Sequence, residues 1–258
     1  MDPSNPSAGT EAHTERSREL YRRAVSQYRE YVIHYPDDAD YDLMMFNLAD
    51  GLHRIGQNEE AEQCLVELLK DEKQPFRAAA LYLLQDTQRE QLKALHGSLN
   101  TVPANASTLR EVTTSDGRTY EVKALNPEFQ AYVETSDALA AHDFEETIAQ
   151  IQARQDAEES PNSLLENARA LTEAYQRSLE ENRLVQAYNS ALIFHQHGQF
   201  EVSRPRFEAI LEHTEWHTDS IAAYSARLII ESYITEGDLD QVQTLSSKFA
   251  SLHLGNPE

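Results

Sequence analysis

Three aspartates near the start of the chain alternate in the way that the ligands of a calcium-binding loop do. They are Asp38, Asp40 and Asp42. Such a loop also needs a glycine at its sixth position and a glutamate at its twelfth, and these positions are held by Leu43 and Ala49. Aspartate is a preferred residue at helix N-termini, so we predict that Asp38 or Asp40 caps a helix instead of binding calcium.

Histidine pairs are the second group that could bind a metal ion. His213 and His217 are four residues apart, a spacing that places two imidazoles on one helix face. The intervening residues do not form the His-Glu-x-x-His motif, and the segment joins two predicted helix pairs. His195 and His197 are two apart, so on a helix they point in different directions. The sequence therefore predicts no metal site and no cofactor.

Motifs for covalent or nucleotide chemistry are missing from the sequence. It contains no Gly-x-Ser-x-Gly, phosphate loop, Cys-x-x-Cys or dinucleotide fingerprint. The single cysteine, Cys64, lies between apolar residues of a predicted helix and is expected to be a packing residue. We therefore predict a protein that is not an enzyme.

Composition predicts an acidic, helical protein. The 258 residues include 44 acidic and 22 basic side chains, for a net charge of -22, which opposes binding to nucleic acid or to an anionic membrane. Glycine and proline are few, at 8 and 9 residues, and this favours helix over sheet.

Hydropathy and the first residues of the chain bear on its location. Mean hydropathy is -0.63 and we find no apolar run as long as a membrane span, so no membrane insertion is expected. The opening residues are polar and do not resemble a signal peptide. As the chain stands this predicts the cytoplasm, or the periplasm or cell envelope if a signal peptide was removed.

Three segments of the chain share one pattern, and each ends at a glycine. They are residues 46–56, 188–198 and 227–237, and a second helical pattern follows each one. A glycine in the left-handed conformation ends a helix and lets the next helix fold back antiparallel. The recurrence predicts an all-α fold, an α/α superhelix of antiparallel helix pairs.

The helical pattern divides the chain into four segments. We predict a flexible tail at residues 1–13, N-terminal helical repeats at 14–97, an insertion at 98–126 and C-terminal helical repeats at 127–258. Within the insertion, β-forming residues flank Asp116-Gly117 and predict a short β-hairpin, or else an extended excursion. A three-residue loop with Gly117 at the bulge would place Val112 opposite Tyr120. Such a hairpin must pack against the helices or a partner.

Further helices follow from apolar spacing and capping residues. A helix capped at Asn162 or Ser163 is expected to end near Glu181, before a separate helix pair over 184–212. Pro205 falls inside the second helix of that pair, where it predicts a kink or a late helix start. The other predicted helices span 14–35, 76–96 with Gly97 as cap, 128–141 and 144–156.

The glycine-ended segments resemble the tetratricopeptide (TPR) repeat. The matching positions are Met45, Leu48, Ala49, Leu52, Gly56, Ala61, Leu65 and Leu68 in the first, Ala187, Ala191, Phe194, Gly198, Phe200, Phe207 and Ile210 in the second, and Ala226, Ile229, Tyr233, Gly237, Leu239 and Phe249 in the third. The last two glycines are farther apart than the ~34 residues of an ideal repeat. HEAT-like or plain α/α pairs therefore stay open as alternatives. Residues 28–41 also resemble a repeat junction of bacterial cell-envelope TPR scaffold proteins.

The TPR resemblance implies a peptide-binding groove lined by the first helix of each pair. Its implied residues are Phe46, Asn47, Asp50, His53, Arg54, Tyr188, Asn189, Leu192, His195, Gln196, Tyr224, Arg227 and Glu231. They include no lysine and only two arginines, which argues against the TPR clamp that holds a chaperone tail by its carboxylate.

The expected function is a non-catalytic scaffold that binds a protein or peptide in a TPR-like groove, with a bacterial envelope assembly as one setting. The alternative is an enzyme or a regulatory ligand-binding domain with an undetected site, which a cluster of histidines and carboxylates in a deep pocket would favour. A homo-oligomer, formed by stacking of exposed end faces, is a third possibility.

Overall fold

A computed structural model describes residues 6–99, 109–113, 117–158, 162–252 and 254. In these ranges the fold is all-α, with consecutive helices packed on one another and one two-stranded antiparallel hairpin, as predicted. The helices are α1 Pro6–His34, α2 Tyr41–Arg54, α3 Asn58–Leu68, α4 Arg77–His96, α5 Pro127–Ala140, α6 Phe144–Asp156, α7 Ser163–Gln196, α8 Phe200–Glu212, α9 Ser220–Glu236 and α10 Leu239–Ala250. The strands are β1 Leu109–Thr113 and β2 Thr119–Lys123, and a short 3-10 helix spans Thr214–Trp216.

The three turn glycines are confirmed as left-handed helix ends. Gly56, Gly198 and Gly237 have φ angles of 81°, 72° and 77°. After each glycine the next backbone N–H bonds back five residues, as when the N–H of Gln57 donates to the carbonyl of Leu52 at 2.9 Å. This Schellman geometry satisfies carbonyls that the helix end would leave open, and it starts the following helix.

The predicted break near Glu181 is wrong, because α7 runs without interruption over Ser163–Gln196. No glycine or proline occurs between residues 164 and 196, and charged residues at 180–183 are compatible with a helix. At its start, the Asn162 side chain accepts from the backbone N–H of Leu164 at 3.0 Å, which confirms that cap.

Two other helices differ from the sequence expectation. Helix α1 begins at Pro6, inside the stretch 1–13 that we predicted to be a tail, while residues 1–5 lie outside the described range. Proline is favourable as a first helical residue, because the N–H that it lacks has no partner there anyway. Helix α8 begins at Phe200 and includes Pro205, so the late helix start is wrong.

The chain forms two compact units, each assembled from two stretches. Unit 1 comprises residues 1–91 and 137–177, and unit 2 comprises residues 92–136 and 178–258. In unit 1 the core joins residues of α1, α2, α3, α4, α6 and α7, with Leu52, Leu65 and Phe76 fully buried. Phe46 stacks on Phe76 in this core, with ring centres 5.6 Å apart.

In unit 2 the hairpin packs on the turn between α7 and α8. The register is as predicted, with Val112 opposite Tyr120, although loop residues 114–116 lie outside the described range. The backbone N–H of Lys123 donates to the carbonyl of His197 at 3.0 Å, and the Gln199 side chain donates to the carbonyl of Lys123 at 3.1 Å. Helices thus supply the support that an isolated hairpin lacks.

A buried arginine links α8 to α9 in unit 2. Arg204 is 7% exposed, forms an ion pair with Glu236 and donates from Nε to the Ser232 hydroxyl at 2.7 Å. Its guanidinium carbon lies 3.9 Å from the centre of the Tyr233 ring. Ion pairing, hydrogen bonding and the ring face together compensate the cost of burying this charge.

Candidate functional site

The C-terminal half of α2 presents three of the predicted groove residues on one face. Asp50, His53 and Arg54 are three and four residues apart, the spacing that puts helical side chains next to each other. Ala49 and Leu52 are fully buried in the unit 1 core and fix the rotation of α2. The polar face of α2 therefore turns away from the core.

These residues line a cleft of about 660 Å³ within unit 1. Its walls come from the end of α2, the turn into α3, and the middle parts of α1, α4 and α7, and they combine charged, amide and aromatic groups. The lining residues are Arg18, Arg22, Asp50, His53, Arg54, Ile55, Gly56, Asn58, Tyr82, Leu83, Asp86, Glu90 and Tyr175. A volume of this size is within the range of ordinary ligand pockets.

His53 is held by protein groups at both ring nitrogens. Its Nε2 lies 3.3 Å from Oδ2 of Asp86, and its Nδ1 lies 3.2 Å from the hydroxyl of Thr87, which is fully buried. The hydrogen bond to Asp86 raises the pKa of His53 above its ordinary value, against the opposing effect of burial. The arrangement fixes the orientation of the imidazole and favours its protonated form.

An arginine and two tyrosines complete the binding wall. Arg54 donates from Nε to Asp50 Oδ2 at 2.7 Å, and its guanidinium carbon lies 5.3 Å from the ring centre of Tyr21. Tyr82 and Tyr175 stack with ring centres 4.4 Å apart, and burial raises the pKa of Tyr175 to about 12. At neutral pH the cleft therefore offers guanidinium donors beside uncharged aromatic surface, a combination typical of protein-binding sites.

Two of the predicted groove residues lie in cores. Phe46 is 3% exposed and Leu192 is 7% exposed, so neither presents a surface to a ligand. Asn47, Asn189 and Gln196 are half-buried.

The remaining predicted residues gather on one face of unit 2. Side chains of α9 act electrostatically on the pKa values of Tyr188 and His195 in α7. Tyr224 and Arg227 act on Tyr188, and Glu231 acts on His195. Burial dominates in both cases, raising the pKa of Tyr188 and lowering that of His195. Tyr224, Arg227 and Glu231 are exposed. We call these five residues the α7–α9 face.

Sequence reasoning missed the cleft residues that come from α1, α4 and α7. Tyr82, Asp86 and Glu90 follow one another at spacings of four on α4, and this polar row on an apolar helix is a signal that could have found them. Tyr175 had no such signal, because only the fold brings it to Tyr82.

The residues considered for metal binding have other partners. Asp38 accepts from the N–H of Asp40 at 2.9 Å and from the Tyr31 hydroxyl at 2.7 Å, so it stabilises the turn before α2. Asp40 stands at the N-cap position but its side chain makes no cap bond.

The two histidines of the predicted pair also have protein partners. His213 contacts Glu215 at 3.0 Å and His217 contacts the carbonyl of Leu211 at 2.9 Å. Within the described residues there is no group of three or more His, Cys, Asp or Glu side chains that could hold a metal ion.

Cys64 packs at the edge of the unit 1 core. It is half-buried, and burial raises the pKa of its thiol to about 11. The thiol is therefore protonated at neutral pH and is a weak nucleophile.

Comparison with known proteins adds no family assignment. No protein-family model matches the chain, and no curated protein sequence matches it. In the described part of the chain, none of the helices has the length and apolar character needed to cross a membrane.

Proposed function

We propose that this chain is a non-catalytic, TPR-like protein-interaction module that binds an extended peptide segment of a partner protein. The observation that carries the proposal is the unit 1 cleft, which is lined by Arg54, by the stacked rings of Tyr82 and Tyr175, and by the fixed imidazole of His53. Guanidinium and amide groups bind peptide carbonyls and carboxylates, and tyrosine rings supply contact area at a low entropic cost.

The TPR assignment is supported by the packing of consecutive helices and by the three glycine turns. Small residues at the matching repeat positions, among them Ala49, Ala61 and Ala226, are buried and allow the helices to approach closely. A bacterial envelope assembly is the setting that the resemblance of residues 28–41 favours.

The enzymatic alternative would use His53, because it lies beside a carboxylate in a cleft. Its two ring nitrogens already contact Asp86 and Thr87, so transferring a proton to a ligand would require breaking one of these contacts. Holding a fixed donor surface requires no such change, and this favours the binding function.

Selection from a random peptide library displayed on phage tests the proposal. Selected peptides are then measured by fluorescence anisotropy with wild type and three charge reversals. Each variant changes an arginine that pairs with an acidic residue four positions away: Arg54→Glu in the cleft, Arg227→Glu on the α7–α9 face, and Arg23→Glu on α1 outside both surfaces. The local helix perturbation is therefore matched.

We expect Arg54→Glu to weaken peptide binding about tenfold or more, and the other two variants to change it less than about twofold. Weaker peptide binding by Arg227→Glu alone would place the binding site on the α7–α9 face and contradict the cleft proposal. Failure to enrich any peptide, or selection of peptides that bind all four proteins equally, would contradict it too.

A further inference from the structure

Unit 1 contains a second pocket, of about 330 Å³, that shares no lining residue with the cleft. One wall is the segment that leads into α4, and the other is α6 with the two residues before it. The lining residues are Glu72, Lys73, Gln74, Pro75, Arg77, His142, Asp143, Glu146, Thr147, Gln150, Ile151 and Arg154.

Among the described residues, three basic side chains of this pocket make no ion pair. Arg77 donates from Nη1 to the carbonyl of Leu69, and Arg154 donates from Nη2 to the carbonyl of Lys73, both at 3.0 Å. Across the residues that the structure describes, these guanidiniums and the Lys73 ammonium have no carboxylate oxygen within 4 Å. Both guanidiniums bond only to backbone carbonyls, so each keeps N–H groups that could bind an anion.

Gln74 adds a buried donor that has no acceptor among the described residues. The residue is 3% exposed, and its Oε1 accepts from the backbone N–H of Phe76 at 2.6 Å. That bond fixes which end of the amide is oxygen, since a backbone N–H needs an acceptor. The Nε2 group is buried and has no hydrogen-bond partner in the described structure. Buried polar groups are rarely left in this state unless an ordered water, an ion or a ligand completes them.

The carboxylates of the pocket limit the charge that it can accept. Asp143 caps α6 by accepting from the N–H of Glu146 at 2.8 Å, and Glu146 accepts from the Gln150 side chain at 3.0 Å. Glu72 is exposed at the rim. A ligand with several negative charges would be repelled by these three carboxylates. A single anionic group that contacts Gln74, Arg77 and Arg154 would meet less repulsion.

We propose that this pocket binds one oxyanion group, a carboxylate or a phosphate, of a small molecule. Guanidinium groups match the geometry of both oxyanions, and the Gln74 amide supplies the remaining donor. The site is independent of the peptide-binding cleft, so either proposal can fail without the other.

Thermal unfolding and calorimetric titration with succinate or inorganic phosphate test the site at constant ionic strength, with sodium chloride as the balancing salt. Gln74→Glu keeps the acceptor for Phe76 but replaces the free donor by a negative charge. Lys73→Gln removes one charge from the pocket, and Lys70→Gln, which removes an exposed lysine paired with Glu67 outside the pocket, is the control for the loss of one positive charge.

For wild type and Lys70→Gln we expect a saturable rise in the unfolding temperature with at least one of the two anions. Lys73→Gln should raise the dissociation constant about fivefold, and Gln74→Glu should abolish saturable binding. The anion that acts distinguishes a carboxylate from a phosphate ligand. An equal response of wild type and Gln74→Glu, or the absence of a saturable response to both anions, would overturn the proposal.

Discussion

The Nε2 atom of His53 lies 3.3 Å from Oδ2 of Asp86, and this contact raises the pKa of the histidine. A histidine whose folded pKa is raised stabilises the protein fully below its unfolded pKa, near 6.5, and this stabilisation is lost as the pH rises through the folded pKa. We therefore expect the loss of unfolding free energy caused by His53→Gln to be largest below pH 6.5 and to shrink at alkaline pH. Denaturant unfolding at a series of pH values measures it.

His142 provides a control of opposite sign. Burial and the charge of Arg77 lower its pKa, so wild type loses stability from this group as the pH falls below 6.5. The unfolding free energy of wild type relative to that of His142→Gln should thus decrease on acidification. NMR titration measures the pKa of His53 in wild type and in the Asp86→Asn variant. A wild-type pKa no higher than that of the variant would contradict the account of the cleft.

The continuity of α7 predicts the effect of proline near residue 182. Asn182 lies inside Ser163–Gln196, so Asn182→Pro should cost ~3 kcal/mol or more of unfolding free energy by removing a helical hydrogen bond. Ser163→Pro, at the first helical position, should be close to neutral. Chemical denaturation compares the two, and a tolerated proline at 182 would restore the break that the sequence suggested.

The attachment of the hairpin predicts a cost for trimming Val122. This side chain is 1% exposed and lies near Gly198 in the turn that β2 contacts. Val122→Ala should lower the unfolding free energy by ~2 kcal/mol, while Val185→Ala, whose wild-type side chain is 46% exposed, should change it by less than ~0.5 kcal/mol. Equal effects of the two substitutions in thermal unfolding would show that the hairpin does not depend on this contact.

Removing one member of the Arg204–Glu236 ion pair should lower the unfolding free energy more than removing both members. Arg204→Met leaves the largely buried carboxylate of Glu236 unpaired and should cost ~3 kcal/mol or more. The double variant Arg204→Met with Glu236→Gln should recover part of this loss, because no buried charge remains. Denaturant unfolding of wild type, the two single variants Arg204→Met and Glu236→Gln, and the double variant measures the coupling, and additive losses would contradict a buried pair.

Local signals allowed much of the fold to be predicted from sequence. The turns at Gly56, Gly198 and Gly237 depend on the conformational freedom of a single residue, and the hairpin register depends on residues close in sequence. The predicted break in α7 failed because residues 180–183 contain no glycine or proline, and the side chain of Asn182, a residue type that often caps helices, instead donates to the carbonyl of Ser178 within α7.

The candidate site could be predicted only in part. Asp50, His53 and Arg54 were expected in a groove from the TPR resemblance, and their spacing of three and four residues on α2 is consistent with one face. Asp86 and Tyr175 come from distant parts of the sequence, and only the packed core of unit 1 brings them to the cleft. Phe46 and Leu192 were expected in a groove because the repeat pattern does not separate faces that pack inward from faces that stay open.

Amide NMR mapping of a selected peptide on the isotope-labelled chain tests the central claim most directly. If the unit 1 cleft binds the peptide, shift changes should concentrate at residues 50–58 of the α2–α3 turn and 82–90 of α4, and they should disappear with Arg54→Glu but persist with Arg23→Glu. Shift changes confined to residues 185–196 and 220–236, around the α7–α9 face, or the same changes in wild type and Arg54→Glu, would contradict it.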